Sequence, residues 1–181
     1  MRGWKNPALA WTVALVIMVG STLFSAHHAL SAWSAQVASV YQNGVEGDGL
    51  GIAGDLAARL EDSYNLVVVA RRYLPEEGAI ADVLRAREAL SSAQGPAAQS
   101  LANDALTEAV TALYQALEAE PLTDKDETYR RGLYADLSAR NQTIRNDGYN
   151  ALAQEFNAVL EEFPAGLLAG LTGIAPAEYF Q

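Results

Sequence analysis

Cysteine is absent from the 181 residues, which excludes disulfides, thiolate catalysis and Cys-ligated metals and is compatible with an oxidising envelope. Histidine is scarce as well. His27 and His28 stand side by side at the end of an apolar run, a placement that reads as a polar border rather than a metal site. There is no His-Glu-x-x-His helix, Gly-x-Ser-x-Gly elbow or P-loop, so the inventory for catalysis is thin and no enzyme, cofactor or metal is expected. No stretch alternates in the two-residue manner of a half-buried strand, which leaves an all-α reading. Positive charge is short too: 12 Lys and Arg face 22 Asp and Glu, for a net charge of −10. Every acidic residue lies at or beyond Glu46, where ten basic residues accompany them and the net is −12. Such a surface repels nucleic acid and anionic headgroups, so nucleic-acid binding is not expected.

Charge of either sign is missing between Asn6 and Val45, and Ala8 to Ala26 is a 19-residue run without one. At about 1.5 Å per residue that run nearly matches a hydrocarbon core of about 30 Å. Trp4 and Trp11 at one end and Trp33 beyond the other suit interfacial positions, and Arg2 with Lys5 favours a cytoplasmic N-terminus by the positive-inside rule. A cleaved signal peptide is the rival, but Ala26, Ala29 and Ala32 each have a large residue two places earlier, a poor cleavage pattern. The segment is therefore read as a signal anchor, with the rest of the chain extracytoplasmic. Beyond it, Ser31, Ala35 and Ser39 form an i, i+4 row, and small residues so placed let helices approach closely. This row is the expected self-association contact, against the alternative that Ala and Ser are simply common in helices.

Asn43 to Gly54 holds five of the 14 glycines and reads as a hinge. Its match to a dinucleotide fingerprint, Gly49-x-Gly51-x-x-Gly54, lacks the strand that motif requires, and Glu46, Asp48 and Asp55 do not follow EF-hand spacing. Asp55 is the expected cap of a helix running to about Leu74, with Leu56, Leu60, Tyr64, Val67 and Val68 apolar. Glu76 to Ser92 follows, with Ile80, Val83, Leu84 and Leu90 inward. After the Gln94-Gly95-Pro96 break, Pro96 to Glu118 carries Leu101, Leu106, Val110, Leu113 and Leu117. Thr123 should cap the longest helical run, Thr123 to Pro164, whose first turns hold Asp124, Asp126 and Glu127 where the helix dipole favours them. Glu76-Glu77 and Glu161-Glu162 are expected on solvated faces. Arg71-Arg72 and Arg130-Arg131 are expected in salt bridges, with docking of an anionic partner as the alternative.

Within that last run Tyr149-Asn150, Phe156-Asn157 and Phe163-Pro164 recur seven residues apart, which puts three rings on nearly one face beside Leu152, Val159 and Leu160. Asn150 and Asn157 each follow a ring at this spacing. They either hydrogen-bond across helices and fix register or form a polar stripe for a ligand or partner, and the first reading is preferred. The tail Ala165 to Gln181, with Leu167, Leu168, Leu171, Ile174, Tyr179 and Phe180, is expected to fold back, or else to meet a protein partner.

These residues resemble the LemA family of bacterial membrane proteins. The resemblance rests on Tyr149-Asn150, on Phe156-Asn157 where the family usually has Tyr-Asn, on Phe163-Pro164, Gly173 and Tyr179-Phe180. Upstream it rests on Tyr64-Asn65-Leu66 and on Val83 with Ala86-Arg87. Departures are the missing Pro-Asn-Leu turn (Val67 to Ala70 has no proline), Asn146 where an arginine is usual, and the glycine loop. The resemblance implies a single span and a bundle of long antiparallel helices, without an assigned activity. It also implies an external N-terminus; the charges favour the opposite sidedness and are followed here.

The fold expected is all-α, an N-terminal transmembrane helix and then an elongated antiparallel bundle of three to four long helices. The anchor takes residues 1–30, a small-residue helix and hinge 31–54, the bundle 55–164 and the tail 165–181. A membrane-anchored scaffolding or interaction protein of the cell envelope, self-associating or bound to other envelope proteins, is the expected function. A sensory or ligand-binding bundle with a membrane partner is the alternative, and an envelope hydrolase stands third.

Overall fold

The computed structural model describes residues 7–45, 47, 49, 51–76 and 78–181. The readings that involve Arg2, Trp4, Lys5, Glu46, Asp48 and Glu77 lie outside the described residues. Among the described residues there are seven helices and no strand: α1 Pro7–Asn43, α2 Ile52–Ala70, α3 Ala79–Ser92, α4 Pro96–Glu118, α5 Asp124–Arg145, α6 Tyr149–Glu161 and α7 Ala165–Thr172. Two compact units form. One takes the chain up to Ala38 and Leu152–Ala177; the other takes Ser39–Ala151 and Glu178–Gln181.

In the first unit, α1 is long and apolar enough to cross a membrane. Its early side chains face outward: Trp11 is 78% exposed, Ile17 64% and Phe24 73%. Leu30 and Val37 are buried. Trp33 meets Phe156 edge to face, ring centres 5.8 Å apart, a geometry that suits the ring quadrupoles.

The second unit contains α2 to α5, with α2 against α3 and α5, and α4 against α3 and α5. Contacts of α2 and the turn after it with α5 run in opposite sequence directions: Arg72 meets Asp126, Arg59 meets Leu137, and Asp55 meets Arg140. The helices are therefore antiparallel. Asn103 with Asn141, Thr111 with Tyr134 and Tyr114 with Arg130 give α4 and α5 the same sense. Leu66, Leu106, Leu113 and Leu117 have no exposure, and burying each such side chain stabilises by about 1.5–3 kcal/mol.

Several expected boundaries move. The run Thr123 to Pro164 is two helices, because Asn146 ends α5 and the Asp147 carboxylate accepts the Tyr149 amide at 2.7 Å, capping α6 instead. Gly148 sits against Val45, where a Cβ would come within 2.9 Å of a methyl. Thr123 does cap α5, its hydroxyl accepting from the Asp126 amide at 3.2 Å. Asp55 is not the cap of α2: the helix already begins at Ile52, behind Gly51, whose missing Cβ lets it lie against the Tyr41 and Gln42 backbone. That helix ends at Ala70, short of Leu74, and α3 starts at Ala79 rather than Glu76. Gly95, at φ 80°, and Pro96 open α4 as the break predicts.

Some expected core positions are surface. Tyr64, Val68 and Leu101 are exposed, since α2 and α4 bury a different stripe. Phe163 is 86% exposed because α6 ends at Glu161, so the third ring leaves the face that Tyr149 and Phe156 occupy.

Candidate functional site: the clamped C-terminal segment

Past Gly173, which ends α7 in the left-handed region at φ 75°, the chain runs without helix to Gln181. An extended segment leaves its amides and carbonyls unsatisfied unless something else pairs them. The two asparagines singled out by their heptad spacing do this. In the first unit the Asn157 amide donates to the Ala177 carbonyl at 2.9 Å, and its oxygen accepts the Ala177 N–H at 2.7 Å. In the second unit Asn150 treats Phe180 in the same way, at 2.6 and 2.8 Å. A primary amide offers both donor and acceptor on adjacent edges, so each asparagine reads a backbone residue as a neighbouring strand would. These asparagines do hydrogen-bond, but the expected partner is corrected: they hold the backbone of the non-helical tail and not a side chain of a facing helix.

Tyr149 completes the second clamp by donating its hydroxyl to the Glu178 carbonyl at 2.6 Å. Its ring meets Tyr41 edge to face at 5.1 Å, Phe180 also lies against the Tyr41 ring, and the Tyr41 hydroxyl bonds Gln99. Glu178 approaches the start of α4, one carboxylate oxygen 3.4 Å from the Ala97 N–H. Beside this clamp a cavity of about 280 Å³ is lined by polar groups including Asn103, Asp104, Asn141, Arg145 and Asn150. The buried Asn103 oxygen has no hydrogen-bond partner there, although its nitrogen donates to Asn141 at 3.0 Å.

The remaining expected residues separate. Asn65 is exposed. Arg87 donates to the Leu60 carbonyl at 3.0 Å and lies over the exposed Tyr64 ring at 5.0 Å, tying α3 to α2. Pro164 and Phe163 are exposed, and Tyr179 is half-buried. Along α1, Ser31 is partly buried while Ala35 and Ser39 are exposed. The arginine pairs form the expected bridges, Arg71 with Glu76, Arg72 with Asp126, and Arg130 and Arg131 with Glu127. Arg130 is not on the surface, however; it is buried over the Tyr114 ring at 4.2 Å. Asp126 is buried as well, and the Tyr73 hydroxyl at 2.7 Å, followed by Arg72 at 2.6 Å, holds its carboxyl below the usual range.

Sequence reasoning missed Arg59, which is 2% exposed. Its signal was periodic: Leu56, Arg59, Ser63, Leu66 and Ala70 lie at three- and four-residue steps on the buried face of α2, so the arginine stands where a core residue belongs.

The model of the LemA family matches residues 51–181. No curated protein and no solved structure matches the chain.

Proposed function

The chain belongs to the LemA family, and from that premise we propose a non-catalytic, membrane-anchored interaction protein of the bacterial cell envelope. The apolar part of α1 is the anchor, with its N-terminus cytoplasmic and the helices α2 to α5 an extracytoplasmic antiparallel bundle. The observation that carries this reading is the exposure of Trp11, Val13, Leu15, Val16, Ile17, Met18 and Phe24 along one helix without a charge. So large an apolar surface is stable only in lipid or against protein. Copies associate through α1, where the exposed Ala35 and Ser39 with Ser31 permit close helix approach. Asn150 and Asn157 support a structural rather than ligand-binding role for the α6 motif, because their amides are already paired with the tail.

Ala35→Cys in the otherwise cysteine-free chain tests self-association. Oxidation in native membranes is expected to give a disulfide-linked dimer, and Ser138→Cys is expected to give none. A chain that stays monomeric both in this assay and by size in mild detergent would contradict the reading.

A further inference from the structure

A second, smaller cavity, of about 100 Å³, opens between α2, α4 and α5, and Arg59 lines it with Thr107, Thr111, Tyr134, Ser138 and Asn141. Arg59 makes two hydrogen bonds, to the Leu137 carbonyl and to the Thr107 hydroxyl at 2.7 Å. Its Nε is buried without a partner, and among the described residues no carboxylate forms a salt bridge with it. Asp55 and Asp104 act on it only from a distance; Asp55 is 3.2 Å from Arg140, and Asp104 is 3.9 Å from Arg145. A cation buried without a counter-ion is unfavourable, because the water it gives up is not replaced. Burial pulls the Arg59 guanidinium down to about 10, which leaves it charged at neutral pH.

The buried charge of Arg59 makes the cavity wall favour an anionic guest. Thr107, Thr111 and Ser138 already donate their hydroxyl hydrogens to the Asn103, Thr107 and Tyr134 carbonyls. What remains for a guest are the unused N–H groups of Arg59, the Asn141 amide and the Tyr134 hydroxyl, whose contact with Thr111 is a long 3.4 Å. The guanidinium and the Asn141 N–H groups are donors, the Tyr134 hydroxyl can donate or accept, the Thr111 and Ser138 oxygens keep acceptor lone pairs, and no carboxylate lines the wall. From this geometry we infer that the cavity is a binding site for a small monovalent anion of the size of chloride, formate or acetate, held beside Arg59 by Tyr134 and Asn141. A single guanidinium balances one negative charge, and the small volume of about 100 Å³ favours a small acid. Chloride and a carboxylate share this chemistry, and the test separates them.

The full chain in detergent is heated at constant ionic strength while sodium chloride, or in a second series sodium acetate, replaces sodium gluconate, whose anion is too large for the cavity. A saturable rise in Tm is expected, as for any ligand that binds the native state alone. A response to chloride alone assigns a halide site, and a response to acetate assigns a carboxylate site. Tyr134→Phe keeps the ring stacked on Tyr114 at 4.0 Å and is expected to weaken the apparent affinity by about tenfold, near the upper end of what one hydrogen bond contributes. Asn141→Ala gives an independent second variant, and Arg71→Gln, far from the cavity lining, is expected to respond as wild type. No rise with either salt, or equal rises in wild type and both cavity variants, would overturn the site.

Discussion

The first part of α1 and the interior of α2 to α5 invert each other. Along α1, apolar side chains are exposed: Leu15, Val16, Ile17 and Met18 are each more than 60% accessible. Within the second unit, polar side chains are buried: Arg59, Ser63, Ser100, Asn103, Asp126 and Arg130 are each below 5%. One region therefore calls for a covering of lipid or protein, and the other requires internal partners for groups that water would otherwise satisfy. The two regions therefore fail in different ways. Charge destroys the first, whereas loss of a hydrogen-bonding partner destroys the second.

A charge in the first region is one of the two largest expected effects. Ile17→Asp costs about 2.5–3.5 kcal/mol of insertion at a helix centre and is expected to move a large fraction of the protein from the alkali-resistant membrane pellet to the supernatant. An unchanged pellet would mean that α1 is not solvated by lipid. Of similar size is Phe156→Ala, which removes a fully buried ring and is expected to lower stability by about 3–5 kcal/mol, read by thermal or denaturant unfolding.

A smaller effect, and a sharper one for the clamps, comes from Asn150→Leu. It leaves the Phe180 N–H and carbonyl unpaired, for an expected loss of about 1–3 kcal/mol. Faster amide hydrogen exchange should be confined to the residues around Phe180, and exchange that rises equally throughout α2 to α5 would remove the clamp's special role. Asp126 tests the buried polar region by pH. Its folded carboxyl titrates below the ordinary value, so its contribution is complete above the unfolded pKa of about 4 and is lost as pH falls through the folded one. Asp126→Asn is expected to lower Tm at neutral pH and to flatten the fall of Tm below pH 4, while wild type keeps the steeper limb. Arg71→Ala should be smallest, about 0–1 kcal/mol, because its bridge to Glu76 is exposed.

Much of this contrast is legible in the residues. An uncharged run of 19 and the absence of alternation identify the apolar helix and the all-helical class, and Thr123 and Gly95-Pro96 mark two helix starts correctly. Asn150 and Asn157 stand out by spacing alone. Their partners do not, because an amide that reads backbone leaves no side-chain signature in the segment it holds. The break at Asn146 to Gly148 was hidden for a related reason: the heptad of rings continues across it, and hydrophobic periodicity does not register a short interruption capped by Asp147. Phe163 shows the converse, a ring in register by number but beyond the helix that would have turned it inward. Arg59 was invisible because a charge is ordinarily assigned to the surface, and only its place between Leu56 and Ser63 argues otherwise.

The absence of native cysteine permits the most direct test. Ile17→Cys and Ala135→Cys, each a single thiol on a position exposed in the structure, are treated with a membrane-impermeant maleimide in intact cells and again after detergent is added. The expected result is that the Ala135→Cys variant labels in intact cells and the Ile17→Cys variant does not until the bilayer is dissolved, placing α1 in lipid and α5 outside the cytoplasm. Equal labelling of both variants in intact cells would contradict the account.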